Sequence, residues 1–560
     1  MPDELVIRGG MLVDGTGAAP RRADVRIVDG RVAEIGAALS GPRALDASGA
    51  FVAPGFVDIH THYDAQVFWD PWLTPSSLQG VTSVIAGHCG LSIAPCRETM
   101  RDSMMRTLHF VEDMAPDTLR EGVEWTWEDY GSYRSRVAER GVGINFGTYV
   151  GHTAVRLWVL GADAYTREAT DDEIAAMQAV VADAIGHGAI GFSTDRSNFH
   201  RADGGTKVAS QFGSQAEVEA LMRAAADAGG ICAVIVDEDC SWLYRLQPQL
   251  GTRITWCQII TYPDGSPRQP WPEAQLATHR EAFGAGAQVY PQATCRPITF
   301  QVSMANPMPF YPVPAFGELA ALDVVGREAL YRDHAWRVRA VHELGSKQWV
   351  DPNWAKFTVE ESPTQASLLG RSVQDIACER RADPVATAID IALADGLATR
   401  FRVVFANDDL PLLGQILATE GCVLGLSDAG AHIEQMCDAP LPVDFLANWV
   451  RDRELMPIER GVRKVTGELA DLMGLRDRGY LAVGRPADVV VFDLDELEPA
   501  PLERVADFPA GNDRLTAGAP RGLRHVLVNG TTIREDGADR RSSGVSLPGQ
   551  MLGPAAGAGS

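Results

Sequence analysis

Eight short apolar runs, separated by helical periodicity or by Gly- and Pro-marked loops, constrain this chain more than any other feature. They fall at 56–60, 81–86, 144–150, 189–193, 231–236, 254–260, 287–291 and 422–426. Apolar runs of this length bounded by turn residues read as strands buried on both faces, and strands alternating with helices read as a parallel sheet. Two of the intervening helices open on a capping-box pattern, Thr170 with Glu173 and Ser214 with Glu217. In the first of them Ile174, Met177, Val181 and Ile185 recur at helical spacing. Eight strands with helical crossovers predict an α/β fold, a (β/α)8 TIM-like barrel.

The flanks read differently. Asp29-Gly30 lies between two alternating segments, a hairpin signal, and β texture returns near the other end with an Asn529-Gly530 turn. The two ends are expected to pair into one small β-sandwich. This divides the chain into residues 1–53 (N-terminal part of the sandwich), 54–475 (barrel), 476–546 (C-terminal part) and a flexible tail, 547–560, rich in Gly, Ala and Pro. The excess length sits at about 296–400, before the last barrel strand, and includes a Pro-rich stretch at 307–314. It reads as an inserted lid or subdomain.

Composition narrows the partners. With 46% hydrophobic and 22% charged residues, disorder is excluded as the main state. A net charge of −24 argues against nucleic acid and anionic membranes. No apolar run approaches the roughly 20 residues of a membrane helix. The first residues, Met1 to Leu5, carry neither a basic head nor an apolar segment, so no signal peptide is expected. Nine scattered cysteines fit a reducing cytoplasm better than a disulfide framework. The expected partner is a small molecule, with a homo-oligomer left open.

Three strand ends carry chemistry. Asp58-Ile59-His60-Thr61-His62 closes the first run. Residues i and i+2 share a strand face, so His60 and His62 project together as a chelate for a divalent metal. Gly87-His88-Cys89-Gly90 closes the second run, and Cys89 there is a candidate thiolate ligand, with His88 on the opposite face. Ser427-Asp428 follows the eighth run, where a carboxylate can bind metal and take a proton from water. Singly, these are also a pair of surface histidines, a small buried hydrophobe and a turn cap. Together, at the catalytic face of a barrel, they read as one site. Four mixed N, S and O donors suit one Zn²⁺ rather than two.

With these residues in place, the chain resembles the amidohydrolase superfamily (amidohydrolase family 3 type) and, within it, the D-aminoacylase or N-acyl-D-amino-acid deacylase branch. The resemblance runs through Ile7 to Gly17, Ala53 to Asp64, Gly87 to Gly90, Tyr149 to His152, Gly191 to Thr194, Ser427-Asp428 and Gly474 to Asp493. It implies a barrel with a terminal β-sandwich and zinc-assisted hydrolysis of an amide. It carries over His60, His62, Cys89 and Asp428 as metal and catalytic positions.

Departures from that pattern are equally specific. The family's histidines at the ends of strands five and six are absent, and Glu238, Gln258 and the adjoining Cys257 stand as replacement ligands. Its His-Pro-Arg, resembling a carboxylate clamp, is replaced by Ala431-His432-Ile433. His152, Ser193, Arg196, His200 and His432 are the candidate substrate contacts. The expected activity is deacylation of an N-acyl amino acid, a linear amide, by a zinc-activated water with Asp428 as general base. The alternatives are a cyclic amide or imide, a lactone or carbamate, or a decayed family member.

Overall fold

In a computed structural model, the described residues are 4–197, 200–202, 206–263, 266, 268–346, 352–541 and 546–554. Each of the eight apolar runs overlaps one barrel strand: Phe56–Asp58, Val81–Ala86, Asn145–Gly151, Gly191–Asp195, Ile231–Ile235, Ile254–Cys257, Val289–Ala293 and Val423–Leu424, the third, fourth and seventh ending one or two residues later than expected. They form one eight-stranded sheet in sequence order, every neighbouring pair parallel. A parallel bridge between Thr61 and Ala429 joins the first strand's end to the last, with the His62 N–H donating to the Ala429 carbonyl at 2.8 Å. The chain is therefore a TIM-like barrel with additional β structure. The second strand is buried at all six positions, as burial on both faces requires.

The first and last strands are shorter than expected. The first stops at Asp58, so His60 and His62 stand just beyond it. The last stops at Leu424, because Leu426 and Asp428 turn the backbone to φ of 60° and 44°.

At the termini, Asp24–Val28 and Arg31–Gly36 form the expected hairpin, with Asp29 and Gly30 both at positive φ as a type I′ turn needs. This hairpin belongs to a four-stranded sheet. A seven-stranded sheet pairs Phe51–Pro54 from the N-terminal end with Val489–Phe492 from the C-terminal end. Leu5, Ile7 and Val25 of the first sheet share an apolar cluster with Val52, Val489 and Leu527 of the second.

Between barrel strands seven and eight lies an antiparallel sheet ordered Ile298–Ser303, Arg400–Ala406, Phe357–Glu361. Helices such as His334–Gly345 and Pro384–Ala394 pack on it around a separate apolar cluster that includes Phe300, Trp336, Ile389 and Phe401.

The expected flexible tail is a correction for its first part. Gly549, Gln550 and Leu552 exchange backbone hydrogen bonds with Val142 and Phe146 beside the third barrel strand, and the Arg134 guanidinium donates to the Leu552 carbonyl at 2.7 Å. A single parallel bridge between Met551 and Phe146 and a buried Leu552 hold a segment that composition marks as mobile. Residues 555–560 lie outside the described residues.

A candidate metal centre at the barrel mouth

His60, His62, Cys89 and Asp428 converge although they come from three strand ends. His60 Nε2 lies 2.9 Å from Asp428 Oδ1 and 3.2 Å from Cys89 Sγ. His62 Nε2 lies 3.7 Å from each of the same two atoms. One donor atom from each of the four falls within 4.8 Å of all the others. Burial opposes ionisation of Asp428, but the two imidazoles beside it hold its carboxyl well below the usual range. Burial likewise opposes protonation of His62, yet the Glu112 and Asp428 carboxylates raise it to about 9. Convergent imidazole, thiol and carboxylate donors, with Glu112 Oε2 buried behind them and unpartnered among the described residues, are the surroundings a divalent cation needs.

Local interactions set these positions. The Gly87 N–H donates to Asp64 Oδ2 at 2.8 Å. Ser193 Oγ donates to the Gly87 carbonyl at 2.6 Å and accepts from the Gly90 N–H at 3.2 Å. The turn carrying Cys89 is thus clamped at both ends. Gly90, at φ 70°, passes so close to strand four that a Cβ there would lie 3.1 Å from Thr194 Cα. Ser427 Oγ donates to the His60 carbonyl at 3.0 Å, tying the Asp428 turn to the histidine turn.

Three neighbours of this cluster were missed or set aside by sequence reasoning, and a fourth, Cys257, is one of its candidate replacement ligands. Glu112, the last residue of helix Arg101–Glu112, accepts from His62 Nδ1 at 3.1 Å. Gln292, in barrel strand seven, sits 2.7 Å from His60 Nδ1. His88 does not face away: its ring stacks on that of His60, centroids 3.6 Å apart and 18° from parallel. Cys257 ends strand six, and its sulfur groups with donor atoms of His60 and His88 within 4.8 Å. Glu112 and Gln292 carry no local sequence signal. Each is one polar residue in an otherwise ordinary helix or strand, recognisable only once the barrel curls.

The other candidates divide. His200, His432 and Gln258 line the cavity above the four donors. His200 Nδ1 is 2.9 Å from Asp195 Oδ2, and His432 Nδ1 is buried with no partner among the described residues. His152, Ser193 and Arg196, expected on the substrate, are committed elsewhere. His152 is fully buried between Thr194 Oγ1 and Glu217 Oε1, each at 2.8 Å. Ser193 serves the Cys89 turn, as above. Arg196 donates to the Gly213 carbonyl at 2.7 Å. Glu238 is also corrected as a replacement ligand: it is exposed on the turn after strand five, and its carbonyl takes up Gln275 Nε2 at 3.3 Å. Strand direction explains these misses. A residue at a strand's end faces the mouth or the surrounding helices according to pleat parity, which a single-residue shift of the strand's end reverses.

The rest of the cavity is mainly apolar. Ile260, Leu426 and Met436 face it from the barrel side, and Ile298, Phe300 and Phe405 from the inserted sheet. Arg268, stacked 5.4 Å over the Trp271 ring, is the single Lys or Arg among its described lining residues.

A closed parallel barrel with a convergent donor cluster at its strand ends is the architecture of a metal-dependent hydrolase. The chain belongs to the amidohydrolase family, whose model matches residues 43–303 and 350–534. It is 28% identical over 557 residues to a D-aminoacylase from Alcaligenes xylosoxydans xylosoxydans, covering 96% of each chain. A solved N-acyl-D-glutamate deacylase from Bordetella bronchiseptica, complexed with zinc and a phosphonate inhibitor, superposes with a TM-score of 0.67 at 25% identity, covering 98% of this chain and 99% of the other. A solved D-aminoacylase with a binuclear metal centre gives the same TM-score, identity and coverage.

Proposed function

We propose that this amidohydrolase is a zinc-dependent deacylase of N-acyl amino acids, with His60, His62, Cys89 and Asp428 holding one ion. The observation that carries the reading is the placement of Asp428 Oδ1 between the two imidazoles, 2.9 Å from His60 Nε2 and 3.7 Å from His62 Nε2. A divalent ion at this position supplies Lewis acidity towards the amide carbonyl and lowers the pKa of water. Asp428, ionised at neutral pH, takes the proton from the attacking water and returns it to the leaving nitrogen. His432, whose Nδ1 has no partner among the described residues, lies where it can donate to the substrate's oxygen. Ile260, Phe300, Phe405 and Met436 favour an apolar amino-acid side chain over the acidic one of the solved D-glutamate enzyme. Arg268 is the group available to a free carboxylate in the absence of the His-Pro-Arg segment. The terminal sheets, read as a small β-sandwich, buttress the barrel away from this site.

The test is kcat/KM over N-acyl-D- and N-acyl-L-amino acids with Met, Leu, Phe, Glu and Asp side chains, alongside cyclic imides, lactones and carbamates. Hydrolysis led by an N-acyl amino acid with an apolar side chain, lost on chelation and restored by zinc, is the expected result. A preference for a cyclic substrate, or full activity after verified metal removal, overturns the reading.

A further inference from the structure

We propose that Gln292 is a positioning residue that keeps the proton of His60 on Nδ1, so that Nε2 presents a lone pair to the metal. The inference rests on the metal centre proposed above and assigns a role to a residue outside the donor set.

His60 has two occupied faces. Nε2 points at Asp428 and Cys89, and Nδ1 points at Gln292 Oε1, 2.7 Å away. A neutral imidazole carries one N–H, so ligation through Nε2 requires the proton on Nδ1 and an acceptor facing it. A glutamine can offer either an oxygen or an NH2 group, and its network decides which. Thr255 Oγ1 donates to the Tyr290 carbonyl at 2.9 Å, so it accepts from Gln292 Nε2 at 3.0 Å. That contact turns the amide nitrogen towards Thr255 and leaves Oε1 for His60. His88 Nε2 is 3.0 Å from the same amide nitrogen, while its Nδ1 is 2.8 Å from the Cys89 N–H. The Cys89 N–H donates to His88 Nδ1, so a neutral His88 carries its proton on Nε2, and the hydrogen bond of the Gln292 amide nitrogen is the one to Thr255.

The surroundings are shaped to hold the amide. Gln292 is fully buried. Gly425, on the neighbouring strand's exit, leaves room that a side chain would fill, since a Cβ there would lie 2.5 Å from Oε1. His62 has the parallel arrangement with a different partner: its Nδ1 faces the Glu112 carboxylate. One histidine is thus oriented by a charge and the other by a neutral amide. This limits the negative charge packed behind a site that already contains Asp428 and Cys89. Such outer partners fix ligand tautomer and orientation, and removing one costs about 10–100-fold in metal affinity.

The experiment measures the Kd for Zn²⁺ by chelator competition on metal-stripped full-length protein, and follows the visible ligand-field band with Co²⁺. Gln292→Met, which keeps volume without the acceptor, is expected to weaken binding about 10–100-fold. Gln292→Glu restores an acceptor and is expected to bind within about threefold of wild type. Thr255→Val releases the amide to turn over and is expected to weaken binding about threefold or more. Thr255→Val and Gln292→Glu carry the test if Gln292→Met fails to fold. Wild-type binding with Gln292→Met or Thr255→Val unchanged overturns the inference alone. A Gln292→Glu protein as weak as Gln292→Met also overturns it, since packing rather than the acceptor would then be at stake. A wild-type chain that binds no ion overturns the metal centre and the inference together.

Discussion

Glu217→Leu separates a structural His152 from a substrate-binding one. The Glu217 carboxylate accepts from His152 Nε2 at 2.8 Å and from Arg156 Nη1 at 2.6 Å, and all three side chains are fully buried. Arg156 has only carbonyl oxygens besides, with Arg167 O at 2.7 Å. Removing the carboxylate leaves a guanidinium buried without its counter-charge, which costs about 3–5 kcal/mol. At about 2.1 cal/mol/K of unfolding entropy per residue, a barrel of about 420 residues loses roughly 1 °C per kcal/mol, so the melting temperature should fall by at least about 3 °C. Thermal unfolding followed by tryptophan fluorescence reads this directly. kcat/KM, measured well below the transition, should stay within about threefold, because none of the three residues lines the cavity. Unchanged stability with a raised KM would refute the argument and return His152 to the substrate.

Other expectations follow from the same geometry. Asp428→Asn should lower kcat about 10²–10⁴-fold as the proton acceptor is lost, with the fold intact by circular dichroism; a fall confined to KM would contradict the assigned role. Glu112→Gln keeps an acceptor for His62 but removes its charge, so zinc affinity should drop about tenfold in chelator competition. His200 is pulled down by burial but held above its ordinary 6.5 by Asp195. A raised imidazole stabilises the fold fully below 6.5, and the contribution fades as pH rises through the folded value. The stability gap between wild type and His200→Gln should therefore be widest below pH 6.5 and shrink above it; denaturant titrations giving the opposite slope would contradict the ion pair.

The fold was legible because burial imposes its own pattern. Strands covered on both faces are apolar at most positions, so 81–86, where only Thr82 and Ser83 are polar, and 231–236 announce themselves. Turns were legible for a similar reason: Asp29-Gly30 and Asn529-Gly530 supply the positive φ that their hairpins require. Helix starts were legible in part. Thr170 and Glu173 close a full capping box. Ser214 caps its helix, but Glu217 gives its carboxylate to His152 and Arg156 instead of the box, a choice made by packing across strands.

At the candidate site the division is sharper. His60, His62, Cys89 and Asp428 were readable because each closes an apolar run, and the ends of parallel barrel strands lie on one face. What the sequence could not determine is which polar residues stand behind them. Glu112 reaches His62 from a helix end, Gln292 reaches His60 from a strand 232 residues away, and His152 turns from the mouth into an interior ion cluster. Local pattern specifies the period of burial along one element, and so the eight strands and the chelating pair. The partner of each buried donor depends on how the sheet curls and in which register neighbouring strands meet, a property of the assembled barrel alone.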